Sequence, residues 1–233
     1  MFDRFAIAGL LAAGSLVPFA AHAVGEHDHA GDVAVSAVGG QLVLGGGFQT
    51  TASGHKLYEA EFGDQFVYYQ TSNPGFQTQD GAALLPGTFL SFAGVGALGF
   101  WNGTAWGTAA AGDYVSIRDA AGQDTQWTGS GVAAGASSYI ARVDAGGGVH
   151  AHVPFSTNPL GTEGAYLIQL QLTSPDYASS TPFYIAFNYG LSHEDFELAV
   201  DSLVTAVPEP GTYALMLLGL GAVGMAARRR SAR

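Results

Sequence analysis

The residues best suited to chemistry in this 233-residue chain are its histidines. Six of the seven lie beyond residue 23, and four of these form two H-x-H pairs, His27-Asp28-His29 and His150-Ala151-His152. There is no cysteine, which excludes disulfides, thiolate zinc sites, iron–sulfur clusters and thiol nucleophiles. A transition-metal centre would therefore be built from imidazole and carboxylate. Val149-His150-Ala151-His152-Val153 reads as a strand, where residues i and i+2 share a face. Two imidazoles on that face can converge on one ion, with Zn–N distances of about 2.0–2.1 Å. Val149, Ala151 and Val153 would then face the core. The competing reading of the same pair is a polar outward face that happens to use histidine.

The second pair, His27 and His29, is flanked by Glu26 and Asp32. If Asp32 opens the first strand, this segment can fold back onto the sheet and complete a site; otherwise it is a weakly metal-binding tail. His193-Glu194-Asp195 gathers ligands near the end of the domain, or forms a solvated polar patch. His55 stands alone beside Lys56. The expected ligands are His150, His152, His27 and His29, with His193 and His55 as further candidates and zinc as the expected ion.

Signatures of catalysis are missing. The chain has no G-x-S-x-G elbow, no H-E-x-x-H and no P-loop, and Asp119 to Asp124 lacks EF-hand spacing. The expectation is a binding protein, not an enzyme. Trp101, Trp106 and Trp127, with Tyr68 and Tyr69, offer a different function, a sugar-stacking face, although aromatics in short strands more often pack the core.

The elements that must hold these side chains are strands. Asp32–Val38 and Gln41–Leu44 flank Gly39-Gly40 as a hairpin, and Asn102-Gly103 between aromatic flanks points to a type I′ turn. Further strands are expected at 65–70, 88–92, 114–118, 138–143, 148–153, 165–173 and 183–189. Tyr166, Ile168, Leu170 and Leu172 alternate with Leu167, Gln169, Gln171 and Thr173, as in an antiparallel sheet with one wet face. Residues 193–203 read as a short helix or a last strand. The fold class expected is all-β, an antiparallel β-sandwich spanning 24–206.

Both ends read as address labels. Arg4, an apolar run from Phe5 to Leu16 and Ala21-His22-Ala23 form a secretory signal over residues 1–23. At the other end, Pro208-Glu209-Pro210 precedes an apolar stretch from Tyr213 to Ala227, and Arg228, Arg229 and Arg230 follow. Tripeptide, short glycine-containing apolar segment and arginine cluster resemble, in that order, the PEP-CTERM sorting signal of Gram-negative bacteria. The resemblance covers 207–233. It implies Sec export, a precursor held transiently in the inner membrane, cleavage by an exosortase near Pro208-Glu209-Pro210, and delivery to the cell surface or medium.

A second resemblance covers two shorter pieces. His27 to Val33 followed by Gly40 to Val43 is similar to the start of PEP-CTERM proteins associated with zinc-uptake regulation. Val149 to Phe155 followed by Gly164 to Ile168 is similar to surface-anchored H-x-H domains found beside metal-uptake ABC transporters. It implies an extracytoplasmic zinc-binding role for His27, His29, His150 and His152, with a metal-uptake system as partner.

Charge narrows the partners further. The full chain carries −11; without the two labels, three basic and seventeen acidic side chains remain, a net of −14. That excludes nucleic acid as a partner and suits an exported protein that stays soluble. The functions carried forward are a secreted, exosortase-processed metal binder without catalysis, a structural or biofilm-matrix surface protein with no metal role, and a carbohydrate-binding module that holds extracellular polysaccharide.

Overall fold

The computed structural model describes residues 31–64 and 67–204. The secretory label, the His27/His29 pair, the Pro-Glu-Pro motif, the apolar tail and the arginine cluster lie outside the described residues.

Strands follow one another with little else between them. The first six are β1 (Val33–Val38), β2 (Gln41–Gly46), β3 (Gln49–Thr50), β4 (Lys56–Glu61), β5 (Gln70–Thr71) and β6 (Phe76–Thr78). The middle of the chain gives β7 (Phe89–Trp101), β8 (Trp106–Thr108), β9 (Tyr114–Arg118), β10 (Asp124–Thr128), β11 (Gly131–Ala133) and β12 (Tyr139–Arg142). The last are β13 (His150–Ala151), β14 (Phe155–Thr157), β15 (Gly164–Thr173) and β16 (Phe183–Tyr189), followed by the helix α1 (His193–Asp201).

These strands form three sheets: a large one ordered β12-β7-β15-β16-β4-β3, with β8 on β7; a four-stranded one ordered β13-β6-β1-β2; and a five-stranded one ordered β11-β10-β9-β14-β5. One apolar core joins them. Val33, Val35 and Phe76 come from the four-stranded sheet, Val115, Ile117, Trp127 and Phe155 from the five-stranded sheet, and Tyr166, Ile168, Leu170, Ile185 and Phe187 from the large one. The all-β sandwich stands, with a mixed rather than purely antiparallel pairing: β1 runs parallel to β6 and β16 parallel to β4.

The face alternation of 166–173 is as expected. Tyr166, Ile168, Leu170 and Leu172 are fully buried, and their alternates are half-buried. The opposite face is not wholly wet, because α1 lays Phe196, Ala199 and Val200 on Leu57, Trp101, Ala165 and Ala186. Residues 193–201 are thus helix, capped by Ser192, whose hydroxyl accepts from Asp195 N and donates to the Asp195 carboxylate.

Several local expectations are corrected. The Gly39-Gly40 hairpin forms, with both glycines at positive φ as such a turn requires. The Asn-Gly hairpin forms too, yet not as a two-residue type I′ turn: Trp101 pairs with Trp106 and the loop is 102–105. Only Gly103 has positive φ there, while the Asn102 side chain accepts from the backbone of Thr104 and Ala105. The strand expected at 88–92 continues to Trp101, the one at 148–153 shrinks to His150–Ala151, and among the described residues 67–70 of the strand expected at 65–70 only Gln70 is strand.

The tryptophans form no sugar-stacking face. Trp127 is fully buried, Trp101 is buried under α1, and the Trp106 indole donates to Ala199 O and Ser202 Oγ on the helix.

Candidate metal centre

The site is built where three strands of the four-stranded sheet meet. β6 pairs with β1 in parallel, Val33 opposite Phe76, and with β13 antiparallel, His150 opposite Gln77 and Ala151 opposite Phe76. Phe76 therefore places the residue before β1 and the residues of β13 at the same end of one sheet. That residue is Asp32, whose side chain is almost wholly buried at 4% exposure. A buried carboxylate needs partners. Asp32 Oδ1 accepts from Gly75 N at 2.7 Å, while Gly75 O accepts from Val33 N at 2.9 Å.

His150 and His152 sit on the same side, as their i, i+2 spacing requires. Their Nε2 atoms are 3.1 Å apart, and they lie 4.0 and 3.9 Å from Asp32 Oδ2. Among the described residues these three form the group able to hold a metal ion. His152 Nδ1 is 3.0 Å from Ser72 O. A carbonyl only accepts, so a neutral His152 carries its proton on Nδ1 and turns the Nε2 lone pair toward His150 and Asp32. This is the outer hydrogen bond by which metal-binding imidazoles are held.

The spacing suits one tetrahedral ion. Two nitrogens bound to the same zinc at about 2.0–2.1 Å and near the tetrahedral angle stand roughly 3.3 Å apart. The carboxylate oxygen, 3.9 and 4.0 Å from the two nitrogens, has to close by about 0.6–0.7 Å. Gly75 makes the close approach possible, because a Cβ on it would stand 2.6 Å from His152 Cε1 and 2.8 Å from its Nε2. Beside Asp32 a pocket of about 140 Å³ is lined by that residue together with Glu59, Glu61, Asp64, Asn73 and Pro74. Burial, above all, raises the Glu59 carboxyl above its ordinary range; the charges of Glu197 and Asp201 push the same way, against the hydrogen bond from Gln49. A concentration of acidic groups there favours a cation nearby.

The remaining histidines are elsewhere. His55 Nδ1 is 3.0 Å from Pro182 O and its ring meets Tyr184 edge-on at 5.7 Å. His193 opens α1, 88% exposed and 3.9 Å from Glu197. Neither joins the cluster. His27 and His29 lie outside the described residues. Asp32 was legible in the sequence only as the residue opening the first strand; its part in the cluster depends on the β1–β6–β13 register, which no local pattern shows.

Residues 206–230 match the PEP-CTERM protein-sorting motif. The tail is a PEP-CTERM sorting signal. A chain with this signal is exported, anchored in the membrane as a precursor and processed by an exosortase on its way to the surface. The PEP-CTERM match is confined to the tail, and no curated protein and no solved structure matches the chain. Among the described residues no helix is long and apolar enough to cross a membrane, and the apolar stretch of the PEP-CTERM tail lies outside them.

Proposed function

We propose that the folded domain of this exported PEP-CTERM protein binds zinc, or a similar divalent transition metal, through His150, His152 and Asp32, and does so without catalysis. One observation carries the reading: two imidazole nitrogens 3.1 Å apart face a buried carboxylate, one of the imidazoles being oriented by a backbone carbonyl. Nitrogen-rich donors favour zinc and its neighbours over calcium or magnesium, which prefer all-oxygen shells. A tight zinc site usually takes four ligands. His29 lies three residues before Asp32, within about 10 Å of chain. The His27/His29 segment is therefore the best-placed donor for the open position, and removal of residues 24–30 should weaken binding without unfolding the domain. The domain would scavenge, hold or pass metal outside the inner membrane of a Gram-negative cell, with a metal-uptake system as the natural recipient.

The test is elemental analysis of the purified domain after zinc loading and desalting. One zinc per chain is expected, with loss on acidification because protonated imidazole does not coordinate. Zinc well below one equivalent at neutral pH would replace this reading with that of a structural surface protein.

Processing is tested separately. Sec export followed by exosortase cleavage near Pro208-Glu209-Pro210 predicts a released product that lacks both residues 1–23 and residues 213–233. Intact-mass measurement of the secreted protein decides it; retention of the arginine-terminated tail would contradict the cleavage.

A further inference from the structure

Away from the imidazole cluster, the outer face of the five-stranded sheet forms a groove. Val115 and Ile117 of β9 and Thr125 and Trp127 of β10 point into the core. Their alternates, Tyr114, Ser116 and Arg118 on β9 and Asp124 and Gln126 on β10, face out. Strand register aligns one row across four strands: Gln70 lies opposite Ser156, Ser156 opposite Ser116, and Ser116 opposite Gln126. At the usual strand spacing that row is about 14 Å long. Ser116 faces outward and is nevertheless only 6% exposed. The row is therefore the floor of a depression, with an open volume of about 370 Å³.

The groups lining it differ in what they still have to give. The two serine hydroxyls hydrogen-bond each other at 2.8 Å. The side-chain amides of Gln70 and Gln126 and the hydroxyl of Tyr114 have no hydrogen-bond partner among the described residues. Arg118 closes one end of the groove in a two-pronged pair with Asp124, at 2.9 and 2.8 Å, which cancels both charges. That pairing also holds the Asp124 carboxyl below its ordinary range.

We propose that this groove binds a segment of a neutral polysaccharide. Sugar hydroxyls donate and accept at once, which is what a row of amides and hydroxyls answers. The ring of Tyr114 offers a surface for the apolar face of a pyranose while its hydroxyl stays available. The rival occupants lack complementarity. The groove has no apolar floor for a lipid or a hydrophobic peptide. Its single guanidinium is already paired, and a net of −14 over residues 24–207 repels polyanions. The row presents no unpaired carboxylate for a cation. This inference does not depend on the metal reading.

Affinity electrophoresis of the purified domain, run with EDTA throughout, tests it. Gels carry laminarin, hydroxyethylcellulose, dextran or galactomannan, with alginate as the acidic comparator. At least one neutral polymer should retard the domain and alginate should not. The double variant Gln70→Ala/Gln126→Ala should lose roughly tenfold or more in apparent affinity, with an unchanged circular dichroism spectrum, since neither side chain packs the core. Absence of retardation by all four neutral polymers, equal retardation of the variant, or retardation by alginate alone would each overturn the proposal.

Discussion

Zinc at about a hundredfold over its dissociation constant should raise the melting temperature of the domain by roughly 5–10 °C, and the His150→Gln/His152→Gln variant should abolish that rise. A ligand that binds only the folded state stabilises it by mass action, about 2.7 kcal/mol at that excess. In a domain of this size each kilocalorie moves the midpoint by about 2–4 °C. His150 and His152 are partly exposed, at 67% and 28%. Replacing them should therefore leave the metal-free midpoint nearly unchanged, which separates loss of a ligand from loss of the fold. Gly75→Ala supplies an independent arm. A Cβ at Gly75 would meet the His152 ring at 2.6 Å, and the atoms it meets are the movable end of a side chain rather than backbone. The ring is pushed out of line and the fold survives, so zinc affinity should fall about tenfold or more with the metal-free midpoint within a few degrees of the parent. Equal thermal responses in parent and double variant would remove the site.

What the sequence disclosed, and what it concealed, divides by distance along the chain. Turn chemistry and period-two alternation are local, so the β1–β2 hairpin, the bounds of β9 and β16 and the buried face of β15 were all legible. Strand β7 was cut short at Phe92 because Gly94, Gly96 and Gly99 interrupt its pattern. In the fold Gly94 passes beneath Trp127, where a Cβ would stand 2.7 Å from the indole, so the glycine permits the packing rather than ending the strand. The tryptophans illustrate the same limit, since their types fit either a sugar platform or a core and only tertiary packing chooses. The candidate site was half legible. The i, i+2 spacing of His150 and His152 is local, and the pair does converge. Asp32 joins them through a parallel β1–β6 pairing and an antiparallel β6–β13 pairing that link residues 32, 75 and 150.

The sharpest test of the architecture lies in β15. Ile168→Asp should leave the domain unfolded at room temperature, whereas Gln169→Asp should leave it folded. Strand β15 is paired on both sides, with β7 and β16, and Ile168 lies opposite Ile185 with no exposure to solvent. A carboxylate there would have no cation or spare donor in reach of an aliphatic and aromatic interior. The cost of several kcal/mol compares with a total stability of about 5–15 kcal/mol for a natural domain, to which the lost Ile168 packing adds its own share. Gln169 is the adjacent residue on the other face, half-buried, and an aspartate there can reach water. Its backbone carbonyl accepts the Trp127 indole N–H at 3.1 Å, a bond the side-chain change leaves intact. Far-ultraviolet circular dichroism and urea titration of the two variants provide the readout. Only the Ile168 variant should lose its β signal and its cooperative transition; equal tolerance of the two charges would mean that β15 presents the opposite face to the core.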